Sequence, residues 1–124
     1  MQTFRDLNCW KTANLFRIEC FEVANSFPEE EKYRLRDQLV RSSRSVGNAL
    51  AEGFGRYHYQ ETIQYCRMAR GSLEEALDHL IVARSCKYIE EETFARLHAA
   101  YLDVVRLVNG YIAYLKKRKG ERST

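Results

Sequence analysis

Apolar residues recur along most of the chain at alternating spacings of three and four, the period that returns side chains to one face of an α-helix. The first such stretch begins near Asp6, a residue type that caps helix N-termini. Its apolar positions are Cys9, Ala13, Phe16, Cys20, Val23 and Phe27. The pattern predicts a first helix that ends before Pro28, because proline disfavours helical geometry at the residue preceding it.

Two further stretches predict helices that are joined by the glycine-containing turn "EGFGRYHY". The second helix is expected to start at Pro28, since proline and the three glutamates after it suit a first helical turn. Its inward positions are Leu35, Leu39, Ser42, Val46, Ala49 and Gly53. The third helix is expected from about Gln60 to near Cys86, with Ile63, Cys66, Arg70, Leu73, Leu77, Leu80 and Arg84 in register.

The fourth stretch follows the acidic segment "KYIEEE" and has the strongest heptad pattern of the chain. Its inward positions are Phe94, Leu97, Tyr101, Val104, Val108, Tyr111 and Leu115. Four long helices with short connections predict an all-α fold, an antiparallel up-down-up-down four-helix bundle. The length of 124 residues indicates a single domain over residues 1–124, with residues 116–124 as a short basic C-terminal tail.

The centre of the second helix is built from small residues, although a glycine inside a helix costs about 1 kcal/mol relative to alanine. Small side chains would let a neighbouring helix approach closely, and we expect such close packing at Ser45, Gly47, Gly53 and Gly71. Contact of the exposed backbone with a ligand or RNA is the alternative. Glu52, beside these residues, is either a buried carboxylate paired with an arginine or a solvated one.

The cysteines and the N-terminal residues indicate the cellular compartment of the protein. Cys9, Cys20, Cys66 and Cys86 form no Cys-x-x-Cys pair and mostly fall at apolar helical positions, so we expect buried free thiols and a reducing compartment. The first ten residues lack the apolar region of a signal peptide, and no run of eighteen apolar residues occurs. These features predict a soluble, cytoplasmic protein with no membrane association.

No catalytic site is expected from the motifs of the chain. Helix bundles with di-iron sites use Glu-x-x-His motifs, and the sequence contains none; it also lacks a strand followed by a glycine-rich phosphate loop. Glu75 and His79 are four residues apart, which is the spacing of an ordinary helix surface pair. We therefore predict no enzymatic activity, no metal, no cofactor and no small-molecule substrate.

Charge is unevenly distributed around a net value of +3. Residues 32–70 hold eight Lys or Arg against three Asp or Glu, residues 71–103 hold three against seven, and residues 116–122 hold five against one. Arginine binds phosphate oxygens bidentately, and Tyr57 and Tyr59 beside Arg56 can stack on unpaired bases. The candidate RNA-binding residues are Arg34, Arg41, Arg44, Arg56, Arg67, Arg70, Lys116, Lys117, Arg118 and Lys119. Alternatively, opposite charges join copies of the chain into a ring with no RNA affinity.

A combination of short motifs resembles a known family over residues 4 to about 115. The matching pieces are Phe4, Asp6, Leu7 and Trp10; Phe27, Pro28 and Glu31; Leu35, Gln38, Leu39 and Arg41; Ser45, "AEG" at residues 51–53 and Arg56; and "ARGSLEEA" at residues 69–76. They resemble the four-helix-bundle proteins encoded by intervening sequences in bacterial 23S ribosomal RNA genes. The resemblance implies ring-shaped homopentamers without enzymatic activity and with a suggested RNA-binding role. A distantly similar group, the accessory proteins of diversity-generating retroelements, engages nucleic acid and a reverse transcriptase, so a protein-binding scaffold is the alternative function.

Overall fold

Four α-helices contain most of the chain in the computed structural model, which describes the backbone of residues 2–123 and the side chains of residues 2–120. They are α1 (Asn8–Ala24), α2 (Leu35–Phe54), α3 (Tyr59–Ser85) and α4 (Glu91–Ser123). Short 3-10 segments, Phe4–Asp6 and Glu29–Glu31, precede α1 and α2. Residues 2–123 contain no strand, so the prediction of an all-α fold with four helices is confirmed.

The starts of the first two helices differ from the sequence-based expectation. Asp6 belongs to the first 3-10 segment, where its Oδ2 accepts hydrogen bonds from the backbone N–H groups of Gln2 and Thr3, and α1 begins only at Asn8. The predicted helix start at Pro28 is wrong, because Pro28 caps only the 3-10 segment of three glutamates.

A tertiary contact and a backbone break explain the late start of α2. The hydroxyl of Tyr88, which lies after α3, donates a hydrogen bond of 2.9 Å to Oε2 of Glu31 and so ties the acidic segment to the α3–α4 connection. Arg34 then has φ −120° and ψ −107°, which lies outside helical geometry. Continuous helix therefore begins after this break, at Leu35.

Most of the inward positions predicted from the sequence lie in the hydrophobic core. On α3 the predicted Arg70, Leu77 and Arg84 are only half-buried, because the alanines that precede each of them face the core instead. All six positions predicted for the first helix are buried, although the last of them, Phe27, follows the end of α1 at Ala24. The largest fully buried side chains of the other helices include Leu39, Leu73, Leu80 and Leu97. Each helix contacts the next one along the chain, and α1 also contacts α4. These pairings are consistent with an up-down-up-down arrangement of the helices.

Hydrogen bonds between helices support the same packing. The Arg36 guanidinium, at the start of α2, donates to Asn25 at the end of α1, and Arg96 near the start of α4 donates to Glu19 in the second half of α1.

No helix within residues 2–123 combines the length and the apolar character needed to cross a membrane.

The expectation of four buried thiols holds for three of them. Cys9, Cys20 and Cys66 are buried free cysteines, whereas Cys86 is exposed. The prediction is wrong for Cys86 because α3 ends at Ser85, so Cys86 caps the helix at the surface instead of continuing its inward face.

The small residues of α2 differ in their surroundings. A Cβ atom at Gly47 would lie 3.3 Å from Nε1 of Trp10, and one at Gly53 would lie only 2.7 Å from Cβ of Tyr65 on α3. The half-buried Ser45 donates its hydroxyl proton to the carbonyl of Arg41 within its own helix. Gly71 does not make the expected close contact within the chain, because it faces solvent with no heavy atom within 4 Å of a Cβ position.

Candidate nucleic-acid interface

Two arginines of α2 form an exposed basic row. Arg41 and Arg44 are exposed, and their spacing of three places them near one face of the helix. Arg34 is also exposed, but it lies just before α2 and its backbone is not helical, so the helical period does not place it in this row. Arg41 has a carboxylate neighbour, since its Nε lies 3.5 Å from Oδ2 of Asp37, but both side chains are largely exposed and the pair contributes little binding energy. Glu52 is exposed further along the helix, so it is not the buried carboxylate that the sequence allowed.

A second basic surface lies where α4 ends. Helix α4 extends through Ser123, so the basic residues 116–119 form consecutive exposed positions of its last turns. The Lys119 ammonium donates a hydrogen bond of 2.6 Å to Oε1 of Gln60, which lies in the first turn of α3. This contact brings the C-terminal turns of α4 to the end of the bundle where the α2–α3 turn is located.

Arg56 lies in that turn and has a defined position. Its guanidinium lies over the ring of Tyr65, 4.8 Å from the centroid, and donates a hydrogen bond to the Tyr65 hydroxyl. Tyr57, the next residue, is 73% exposed and contacts His58 edge-on. We call the set of Arg56, Lys116, Lys117, Arg118 and Lys119 the basic end.

The basic end was not recognisable from the sequence as one surface. Residues 56 and 116–119 were both candidates, but about sixty positions separate them in the chain. Only the contact between α3 and α4 brings them to the same end, and no local motif indicates it. Tyr57 and Tyr59 beside Arg56 are the sequence signal for a mixed aromatic and basic surface in this place.

Arg67 and Arg70 on α3 differ from the residues of the basic end. Arg67 is exposed, whereas Arg70 is half-buried and donates a hydrogen bond of 2.9 Å from Nη1 to Oδ1 of Asn109 on α4. This bond assigns Arg70 a structural contact between two helices. Its guanidinium has five donor protons, and one bond leaves donor capacity for other acceptors.

The opposite end of the bundle has mixed charge. The glutamates of residues 29–31 and 90–92 lie there, connected through the bond between Tyr88 and Glu31. The exposed cations Lys32, Arg34 and Lys87 lie in the same connections, so they partly offset the acidic charge. These connections therefore hold six glutamates against three exposed cations, whereas residues 116–119 at the basic end are four consecutive exposed cations.

The described residues offer no arrangement that indicates catalysis. Within the part of the chain that the structure describes, no group of three or more His, Cys, Asp or Glu side chains could hold a metal ion. His79 and Glu75 form the surface pair expected from their spacing, with 3.3 Å between Nε2 and Oε2.

Comparisons with known proteins agree with the sequence motifs. Residues 5–110 match the sequence model of the 23S rRNA-intervening sequence proteins. No curated protein matches the sequence significantly. Among solved structures, a similar fold occurs in a protein of unknown function from the S23 ribosomal protein family of Bacteroides thetaiotaomicron. The TM-score is 0.78 at 16% sequence identity, over 84% of this chain and 97% of that one, and at this identity the likeness concerns the fold alone.

The family match covers the segment from Arg5, before α1, to Gly110 in α4, which includes all of the first three helices. The chain belongs to the 23S rRNA-intervening sequence protein family.

Proposed function

We propose that this chain is a non-enzymatic RNA-binding protein: an antiparallel up-down-up-down four-helix bundle of one domain that assembles into a homo-oligomer in the cytoplasm. The observation that carries the proposal is the basic end, where exposed cations from the α2–α3 turn and from the last turns of α4 share one end of the bundle. The family name, which refers to 23S rRNA, favours ribosomal RNA as the ligand.

The chemistry of the basic end suits a phosphate backbone. A guanidinium group binds two phosphate oxygens at once, and lysine ammonium groups add positive charge without a fixed geometry. The Arg56 guanidinium is held against Tyr65, so less conformational entropy is lost when it binds. Tyr57 next to it offers an exposed ring on which an unpaired base could stack.

The RNA proposal is tested by removing the same number of cations from the two ends of the bundle. We expect Lys116→Gln with Lys117→Gln to lower the affinity for a single-stranded RNA of 20 nucleotides. Because each lost phosphate contact changes the slope of log affinity against log salt by about 0.7, the slope should fall by about 1.4. Fluorescence anisotropy between 50 and 200 mM salt measures both quantities.

The matched control is Lys32→Gln with Lys87→Gln, which removes two exposed cations from the opposite end. This variant should bind RNA within about twofold of the unchanged chain, since its lost charges lie away from the basic end. Equal losses in the two variants would mean that net charge alone attracts RNA. A chain that assembles but binds no RNA would favour the scaffold alternative, in which the oligomer engages a protein such as a reverse transcriptase-like partner.

Exposed apolar side chains support the homo-oligomer. On α1, Leu15, Ile18 and Phe21 are 64%, 40% and 42% exposed, and their spacing of three residues places them along one side of the helix. On α3, Ile81 and Val82 are exposed close to an acidic stretch that contains Glu74, Glu75 and Asp78. Apolar patches of this kind are typical of protein interfaces.

The charges suit a head-to-tail contact between copies. The apolar row of α1 lies on a helix that packs against α2, whose Arg41 and Arg44 are exposed, whereas the apolar residues of α3 share their helix with acidic ones. A contact between these two different surfaces is heterologous, and a heterologous contact that closes produces a ring. The count of five subunits is implied only by the family resemblance.

Leu15→Glu with Ile18→Glu tests the interface. We expect the unchanged chain to form an oligomer at micromolar concentration and this variant to give particles near the monomer mass of 14.6 kDa, because two carboxylates would be desolvated in the contact. Multi-angle light scattering measures the mass, and Ala99→Glu, at an exposed position of α4, serves as the control. An unchanged chain of monomer mass would contradict the assembly.

A further inference from the structure

A groove lies between the start of α1 and the second half of α4, on the side of α4 away from α3. Its volume is about 540 Å³, within the usual range of about 300 to 1,000 Å³ for sites that hold small organic groups. It is lined by Asp6, Leu7, Asn8, Cys9, Arg106, Leu107, Gly110, Tyr111 and Tyr114. None of these residues was a candidate for binding in the sequence, because the two helices that form the groove lie at opposite ends of the chain.

The centre of the groove is open because α4 has a glycine there. A Cβ atom at Gly110 would meet no heavy atom within 4 Å, so the helix surface at this turn is bare. One turn later, the ring of Tyr114 is 49% exposed and stacks on the ring of Tyr111, with centroids 6.4 Å apart and an angle of 13° between the planes. The groove therefore has an open space at Gly110 beside the partly exposed ring of Tyr114, a shape that suits a planar heterocycle.

The charges of the groove favour a base inside it and phosphates outside it. Asp6 lines the groove, and the two backbone hydrogen bonds to its Oδ2 lower the pKa of its carboxyl, so a phosphate in the interior would meet a negative charge. Cations lie at the two ends along α4: the exposed Arg106 precedes Gly110 by one turn, and Lys117 follows it by two turns. The Cα atoms of Arg106 and Lys117 are about 16 Å apart along the helix axis, and their long side chains can reach phosphates on either side of a bound nucleotide.

We propose that the groove holds one unpaired nucleobase of a single-stranded RNA, stacked on the ring of Tyr114 over the gap at Gly110, with the flanking phosphates at Arg106 and Lys117. Asp6 Oδ1 could accept a hydrogen bond from the exocyclic amino group of adenine, which uracil lacks. The inference rests on the proposed RNA-binding function and continues it, since Lys117 of the basic end follows the groove-lining Gly110 by two turns of α4.

The test compares two glycines that share the same helical, exposed environment. Gly110→Leu fills the groove, whereas Gly71→Leu adds the same side chain to α3 at a position that is equally open. Each variant of the full chain is titrated with a ten-nucleotide oligoadenylate and with an abasic ribose-phosphate strand of the same length. We expect Gly110→Leu to weaken oligoadenylate binding about tenfold, the ordinary effect of losing one stacked base, and to leave abasic-strand binding unchanged. Gly71→Leu should leave both unchanged.

Two further variants test the stacking partner directly. Tyr114→Ala should weaken oligoadenylate binding to a similar extent, and Tyr114→Phe, which keeps the ring, should bind normally. Oligouridylate should bind the unchanged chain more weakly than oligoadenylate because it offers no amino group to Asp6.

Three results would overturn the inference. If Gly110→Leu weakens the two strands equally or not at all, while Lys116→Gln with Lys117→Gln still weakens both, RNA binding stands and the groove is not a base site. If Gly110→Leu changes the mass measured by light scattering, the groove is covered by a second copy of the chain. If the unchanged chain binds neither strand, both the RNA-binding function and the groove are rejected.

Discussion

Replacing Gly53 with leucine is expected to lower the free energy of unfolding by about 3 kcal/mol, measured by urea denaturation. A Cβ atom at this position would lie 2.7 Å from Cβ of Tyr65, which is fixed to the backbone of α3 and cannot rotate away. The two helices would have to separate. Such separation also strains the bond of 2.9 Å that the buried Thr62 hydroxyl donates to the Gly53 carbonyl.

Gly71→Ala is the control for this prediction. Gly71 is also a helical glycine, but its Cβ position is open to solvent. Alanine should raise the free energy of unfolding by about 0.5 to 1 kcal/mol, because it restricts the unfolded chain and meets no neighbour. A Gly53→Leu variant as stable as the unchanged chain would show that α2 and α3 do not approach closely at this position.

The protein is expected to lose much of its stability between pH 9 and pH 12, because three thiols are buried in the core. Burial raises the pKa of Cys9 to about 11 and the pKa values of Cys20 and Cys66 to about 12, from an ordinary value of 9.0. The folded state therefore keeps these protons at a pH where the unfolded chain has released them. The stabilisation is fully present below pH 9 and decreases as pH rises toward 12.

The free energy of unfolding should fall steeply, by about 1.4 kcal/mol per pH unit for each buried thiol within this range. Burial, with a hydrogen bond to Glu74, also raises the pKa of Tyr101 to about 12, which further lowers the stability above pH 10.

Cys20→Ala removes one of the three buried thiols, so it should make the fall of the unfolding free energy with pH less steep by the contribution of one thiol. Urea denaturation from pH 8 to 11.5 measures this slope. Cys86→Ala is the control, because Cys86 is exposed and its substitution leaves the buried thiols in place. Equal slopes in both variants would contradict the prediction.

The helices and their inward faces could be predicted from the sequence to within a few residues, except where a tertiary contact competed with a local signal. The positions predicted for the first helix are all buried, five within α1 and Phe27 just after it, since the burial of six apolar side chains outweighs any local preference. At Pro28 the local signals for a helix start were strong, yet the chain forms only three residues of 3-10 helix there. Local helix propensity cannot predict the contact between Glu31 and Tyr88, because the two residues are 57 positions apart in the chain.

The close-packing candidates illustrate where sequence reasoning ends. Gly53 and Gly71 are both glycines inside helices, and the composition around them does not distinguish their roles. Gly53 lies close to Tyr65 because the α2–α3 turn is short and α2 ends one residue after Gly53, so the two helices are near each other at this position. Gly71 lies on the outer side of α3, where no other part of the chain reaches it.

The sequence by itself determined the helical class and most of the inward positions, because each depends on the period of a single helix. Only the tertiary structure decided which of these residues meet. Lys119 reaches Gln60, and Gly110 faces the start of α1, through the axial register between helices distant in the chain. That register is set by how the buried side chains of all four helices interlock and by the lengths of their connections, neither of which a periodic pattern within one helix can encode.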